Sequence, residues 1–373
     1  MGRSTAARAA TRIKQLCCLG VGREAVMPAI FDELNRLLPS VSMLAFFLDG
    51  KQKLAGGYTN NPEAATTGPL YLSEFHGRRG RELGGAFPDN VRTQIGVQDY
   101  ADALGAIDVD QPTFDRSDFY NLIYRPQRIY WFTRLLVREG GNGRAVGSLT
   151  LYRGLKERPW LEAERRRLAS LEPFFVQALA HTGESGEPLA DSGRSGVVVA
   201  DATGKLVSWS LEGRRLLDLA THPVVTDQTD FSRWGTLPPP LVRICRNLVR
   251  VFGDDPSAPA PVHYHRNPWG GFLFRAEWLK GAGPAMDRIS IAVTHREPLR
   301  LALTRRVGDL NLSRRQSEVC VLLANGASNE AIGERLGISR HTAIAHGRWI
   351  YDKLDVHNRA ELVNRLLAPG AIH

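Results

Sequence analysis

One stretch near the C-terminus, from Leu312 to Leu367, constrains the fold more tightly than any other. Almost every place where a helix would start or stop carries a residue suited to starting or stopping one. Ser313 stands three residues before Gln316, the spacing of a capping box in which each side chain satisfies the other residue's free amide. Val319, Leu322 and Leu323 follow at helical spacing, and Asn325-Gly326 then supplies residues that tolerate a left-handed backbone. Ser328 can cap a second helix that buries Ile332 and Leu336 and ends at Gly337. Ser339 caps a third, and Asn358 with Glu361 makes a capping box for a fourth. The expectation is a small all-α bundle.

The third of these helices carries the chemistry. Ala343, Gly347, Ile350 and Leu354 recur at intervals of four, three and four, so they share one face, which must pack inward. The opposite face presents Arg340, His341, Ile344, Ala345 and Arg348. Arginine can form two hydrogen bonds with guanine O6 and N7, and alkyl groups can touch the thymine methyl, so this stripe suits the major groove of double-stranded DNA. Gly347 costs roughly 1 kcal/mol relative to Ala in mid-helix, which suggests close approach of another helix or of a phosphate backbone.

The segment resembles the C-terminal DNA-binding domain of the LuxR/NarL family of bacterial transcription regulators. The residues that carry the resemblance are Leu312-Ser313, Arg315, Gly326, Asn329, Ile332, Leu336-Gly337-Ile338-Ser339, Thr342, His346, Ile350, Lys353-Leu354 and Arg359, in register and without a gap. There are departures: Gln316 replaces the family's glutamate, Ala343 its valine, and Ile344 a position that is often a DNA-reaching lysine. The resemblance implies a helix-turn-helix at about 327–346 within a domain spanning 311–370. It implies that Asn329, Thr342, His346 and Lys353 fix the register on DNA through phosphates. It also implies a homodimer joined through the last helix, at Leu362, Val363 and Leu366. For His346 the residues leave a second role open, that of plugging a helix interface.

At 373 residues the chain has room for two or three domains, each with its own core. The net charge of +9 and pI near 9.6 favour a polyanionic partner without naming it. No apolar run approaches the length of a membrane span. Five basic groups and no acid in the first 23 residues read as a frayed, basic N-terminus leading into a helix. The four cysteines lack CxxC spacing and bridge logic, which suits a reducing cytoplasm.

Residues 13 to 38 have helical periodicity up to Pro39. Met43 to Leu48 followed by Asp49-Gly50 reads as a hairpin, and Thr59 to Val97 reads as long loops around one short helix. Apolar runs at Ile129–Val137 and Ala145–Tyr152 flank a Gly-rich turn, and Leu161 to Leu179 reads as a helix kinked at Pro173. That succession of elements, with its Gly-linked hairpin and "GSLTLYR", resembles a GAF domain over residues 12–181. Residues 182–194, rich in Gly, Ser, Pro and acids, read as a linker. Next, two strands joined by Asp201-x-x-Gly204 and a helix around Arg214–Leu217 resemble a PAS domain over 195–296. Ser210 stands where that family often has asparagine. Residues 297–310 read as a connecting helix whose seam of Leu299, Leu303 and Val307 could pair with a twin or pack on the sensor. The overall expectation is a multidomain α+β chain ending in the all-α bundle.

Other site classes are poorly supported. The phosphate-loop pattern is missing because Leu206 follows Gly204-Lys205, and no strand-turn-helix GxSxG occurs. No receiver-type acidic pair stands near the start, and Trp131 and Trp160 are too isolated for an acyl-homoserine-lactone sensor. His263 and His265 lack a third metal ligand, Cys17-Cys18 reads as apolar filling rather than a redox pair, and Cys320 reads as core. The expected protein is a cytoplasmic, non-enzymatic transcription regulator without cofactor or metal. Its sensor region leaves room for a small-molecule ligand. An enzyme acting in that region, or a protein-binding adaptor, are the alternatives.

Overall fold

The computed structural model describes residues 3–76, 97–99, 110–140, 143–183, 186–201, 203–226, 228–232, 235–253, 255–280 and 288–368. The chain begins with two helices, α1 (Arg3–Cys17) and α2 (Arg23–Leu37), instead of one long run over 13–38. Gly20, at φ +68°, breaks the helix between them. The basic N-terminal residues are thus helical from Arg3 onward rather than frayed.

The first sheet contains β1 (Ser42–Leu48), β2 (Leu54–Thr59), β3 (Val97–Asp99), β4 (Trp131–Arg138) and β5 (Ala145–Arg153). Their order is β2-β1-β5-β4-β3, antiparallel throughout. The β1–β2 hairpin forms as expected, with Asp49 Oδ1 accepting from the amides of Lys51 and Lys53 at 2.8 Å. Strand alternation sorts the side chains. Met43, Ala45, Phe47, Leu135, Val137, Leu149 and Leu151 join the core beneath α1 and α2. Leu44, Phe46, Phe132, Arg134, Thr150 and Tyr152 point to the other face. That face is covered by α3 (Ala64–Leu70), the π-helical turns Tyr71–Phe75 and Tyr120–Tyr124, and the short α4 (Gln111–Arg116). The expected loop region at 59–97 thus holds α3 and a π-helical turn; its remainder, 77–96, lies outside the described residues.

The segment expected to be one kinked helix is two, α5 (Glu162–Ala169) and α6 (Glu172–Ala180). Pro173 sits in the first turn of α6, where its missing N–H is harmless, so it starts a helix rather than bending one.

The second sheet contains β6 (Leu189–Ala200), β7 (Leu206–Trp209), β8 (Val262–Asn267), β9 (Gly270–Leu279) and β10 (Arg288–Pro298), again antiparallel, in the order β7-β6-β10-β9-β8. Against it lie α7 (Leu211–Thr221) and α8 (Pro239–Phe252). Ser210 caps α7 by accepting from the Gly213 amide at 3.0 Å. The expected linker over 182–194 is only half a linker. Leu189, Ala190 and Asp191 pair with Pro298, Glu297 and Arg296 of β10, because ladder hydrogen bonds offset the weak strand propensity of Gly, Ser and Asp there.

Helix α9 (Leu299–Asp309) leads out of β10 into the C-terminal bundle of α10 (Arg314–Ala324), α11 (Asn329–Leu336), α12 (Arg340–Leu354) and α13 (Arg359–Leu367). The connecting helix forms as expected, but its seam is occupied within the chain. Leu303 and Val307 belong to the bundle's core, while Leu301 belongs to the core of the sheets.

Candidate nucleic-acid interface and an aromatic cavity

The helix ends of the bundle carry the expected caps. Ser313 and Gln316 form a reciprocal box, with Ser313 N donating to Gln316 Oε1 at 2.8 Å and Gln316 N to Ser313 Oγ at 3.3 Å. Ser328 accepts from Ala331 N, Ser339 from Thr342 N and Asn358 from Glu361 N. Glu361 reaches back one residue further than a capping box requires, accepting from His357 N at 2.8 Å. Gly326 and Gly337 take positive φ at the ends of α10 and α11. Arg315 donates to the Leu336 carbonyl and pairs with Glu318 at 3.0 Å, tying α10 to the end of α11.

These restraints fix how α12 is presented. Ala343, Gly347 and Ile350 are buried and Leu354 half-buried, as the spacing requires. Arg340, His341, Ala345 and Arg348 are exposed, and Ile344 beside them is half-buried. Arg340 pairs with Glu330 of α11, but its side chain is still 66% exposed, and such a surface pair is cheaply given up. Of the residues expected at phosphates, Thr342 is exposed at the start of α12 and shares a 2.8 Å hydrogen bond with Ser339 Oγ. Asn329 and His346 are half-buried. Lys353 is exposed, donates to the Asn311 carbonyl and lies 4.8 Å from the Trp349 ring centre. Trp349, 42% exposed beside Arg348, was not singled out from the sequence, although an aromatic residue off the inward spacing was the signal.

Leu362 and Leu366 are 0% and 1% exposed and lie in one apolar cluster with Leu303 and Val307, because α9 packs along α13. They are core residues of this chain, and Val363 is half-buried against the same cluster. Gly347 does not mark a tight approach of another helix. A methyl group there would lie 3.5 Å from Leu323 Cδ1, an ordinary contact. The glycine that close packing does require is Gly333, where a methyl group would meet the Ile338 carbonyl at 2.8 Å.

A second feature lies in the sensor region. A cavity of about 410 Å³ opens between the covered face of the first sheet and α7 of the second module. Its walls are rich in aromatic residues: Phe46 stacks with Tyr71 at 6.2 Å, and Tyr152 meets Phe132 at 6.3 Å and Tyr124 at 5.9 Å. Trp269 of the second module also lines it, packed 5.5 Å from Tyr58 and 6.2 Å from Phe47. On the α7 side Arg214 Nε holds Asp218 Oδ2 at 3.0 Å; burial still pushes that carboxyl up to about 6, against the pull of Arg214. Sequence reasoning missed Arg134, a lone cation on the same strand face as Phe132 and Leu136.

His263 and His265 have stacked rings 6.3 Å apart. Among the described residues no group of three or more His, Cys, Asp or Glu side chains could hold a metal ion, and no helix is long and apolar enough to cross a membrane. Cys17, Cys245 and Cys320 are buried, whereas Cys18 is exposed, so only the first of the adjacent pair fills the core as expected.

Residues 310–366 match the family described as bacterial regulatory proteins of the luxR family. Over 90 residues the chain is 34% identical to the uncharacterized response regulatory protein YgeK of Escherichia coli, which is 23% of this chain and 61% of that protein. Over 53 residues it is 47% identical to the probable transcriptional regulatory protein SgaR of Hyphomicrobium methylovorum, covering 14% of this chain and 25% of that one. Over 56 residues it is 43% identical to the Fimbriae Z protein of Salmonella typhimurium, 15% of this chain and 27% of that one. The chain thus spans less than two thirds of each of these relatives. A chain of the solved Escherichia coli DhaR(N)–DhaL complex aligns with 79% of this chain and 90% of its own length at 13% identity, but a TM-score of 0.23 carries no argument. The capped bundle at the C-terminus, with α12 turned outward, is a helix-turn-helix domain of the bacterial luxR regulatory family.

Proposed function

We propose that the chain is a sequence-specific, DNA-binding transcription regulator whose C-terminal domain is controlled by its N-terminal α+β region. The observation that carries this reading is the exposed stripe of Arg340, His341, Ala345 and Arg348 on α12 of a luxR-family domain. In the complex these residues and Ile344 face base edges, and Asn329, Thr342, His346 and Lys353 hold phosphates, Lys353 by leaving the Asn311 carbonyl. The identical order of the two antiparallel sheets and the cavity between the modules support a GAF-like and PAS-like tandem sensor. A homodimer joined through α13 requires α9 to leave that helix first, which makes α9 the element for a signal to move.

The test starts by selecting bound duplexes from a random pool. Arg348→Ala then weakens the selected site by about 1–3 kcal/mol and leaves random duplex nearly unchanged. Equal losses on both would make Arg348 a phosphate contact. Failure of the intact chain to bind any duplex in a salt-dependent way would end the reading.

A second reading, an enzyme working in the cavity, draws on the raised carboxyl of Asp218 in its lining. Its pairing with Arg214 instead supports a clamp between turns of α7. Conversion of a cavity-bound compound by the wild type and not by Asp218→Asn would favour the enzyme.

A further inference from the structure

The ligand-control reading leaves the chemistry of the ligand open, and the cavity walls narrow it. Arg134 lies on β4 between Phe132 and Leu136, so alternation sends it to the covered face, where its guanidinium sits 5.3 Å from the Phe132 ring centre. An arginine has five N–H donors. Here Nε donates to Thr150 Oγ1 at 3.4 Å, and no acidic partner holds the group among the described residues. The acids that line the cavity are engaged elsewhere: Asp218 with Arg214 at 3.0 Å, and Glu212 with Arg194 at 2.6 Å. Burial pushes the Tyr71 and Tyr152 phenols up, with Arg134 pulling the other way, so both remain O–H donors near the same cation. An uncompensated cation beside two phenols in a hydrophobic cavity is costly unless an anion completes it.

Resting on the ligand-control reading above, we infer that this cavity binds a small organic monocarboxylate with a planar aromatic body. The carboxylate forks onto the free edge of Arg134, and the ring lies among Phe46, Tyr71, Phe132 and Tyr152. One guanidinium matches one carboxylate in geometry and charge. An aromatic cage alone would equally suit an ammonium ligand, but Arg134 repels one. The volume, about 410 Å³, lies in the range of small-molecule sites, about 300–1,000 Å³.

The experiment uses the full chain and three matched probes: 1-naphthoate, 1-naphthamide and 1-naphthylmethylamine. Calorimetric titration should show saturable binding of the acid, with the amide and the amine at least about tenfold weaker. Arg134→Gln, with an unchanged circular dichroism spectrum, should lose the acid's advantage over the amide. Arg215→Gln, on α7, should keep it. Equal binding of acid and amide, or no binding of the acid, overturns the inference on the wild-type protein alone, whatever the variants do. Affinity for a random duplex is measured with and without 1-naphthoate. An acid that binds selectively but leaves DNA affinity unchanged upholds the ligand class and defeats ligand control, so the two failures are distinguishable.

Discussion

Strand β5, at the centre of the first sheet, is buried along its whole length from Ala145 to Arg153, whereas β10, at the centre of the second, alternates between buried and partly exposed residues. The two sheets share one strand order, so topology does not make the difference. Their coverings do. The first sheet has helices on one face and α3 with two π-helical turns over the other; the second has α7 and α8 on one face, with Val197 and Tyr264 exposed on the other. A strand buried on both sides loses the apolar-polar alternation that a half-solvated strand keeps. The covered face of the first sheet lines the cavity, where Arg134 lies next to aromatic rings.

The contrast can be broken most directly by truncation. Leu149→Ala on β5 should cost about 2–5 kcal/mol in denaturant unfolding, because its neighbours on both sides are fixed. Tyr264→Ala on β8, 50% exposed, should change stability by no more than about 0.5 kcal/mol. Equal losses would mean that the open face of the second sheet is covered after all.

Acidity sharpens the same contrast with opposite signs. In the first module burial alone would raise Glu164, but hydrogen bonds from Arg158, Arg153 and the Leu161 amide outweigh it and hold the carboxyl to about 2. A lowered acid stabilises above its ordinary 4.5, and that contribution is lost as pH falls toward 2. In the second module Asp218 is raised from 3.8 to about 6, so its contribution is complete below 3.8 and is lost as pH rises through 6. Melting temperatures followed against pH should show Glu164→Gln removing the acid-side loss and Asp218→Asn removing the loss between pH 4 and 6. A variant whose profile runs parallel to the wild type would refute the corresponding assignment.

The smallest effect moves the comparison to two mid-helix glycines of the C-terminal bundle. Gly347→Ala should stabilise the domain by about 1 kcal/mol, since the space for a methyl group exists. Gly333→Ala should destabilise it by about 1–3 kcal/mol, because the methyl group would meet a backbone carbonyl. A Gly347→Ala chain that is more stable yet loses DNA affinity would mean that a phosphate passes close to α12 there.

What was legible in the sequence was local. Ser313, Ser328, Ser339 and Asn358 announce helix starts because a cap is satisfied within three residues, and Asp49-Gly50 and Asp201-x-x-Gly204 announce turns for the same reason. What was not legible depended on distant partners. The periodicity of Leu362 and Leu366 identifies an apolar face but not that Leu303 and Val307 would cover it. Leu189 to Asp191 look like linker until β10 supplies a ladder more than a hundred residues away. The position of Arg134 on β4 follows from alternation, but its seclusion depends on a covering that no short pattern announces. Every element of the outward stripe on α12 was within reach of helical spacing, whereas the cavity was not.

Helix α9 has Leu301 sunk in the sheets' core and Leu303 and Val307 in that of the bundle. The join is therefore a rod clamped at both ends, not a tether. A displacement of β10 would be passed on as twist or shift of the whole helix, with no slack to absorb it. Protease cleavage near residue 310 would take Leu303 and Val307 out of the bundle's core, whereas cleavage before Leu301 would leave them in place and take only Leu301 from the core of the sheets.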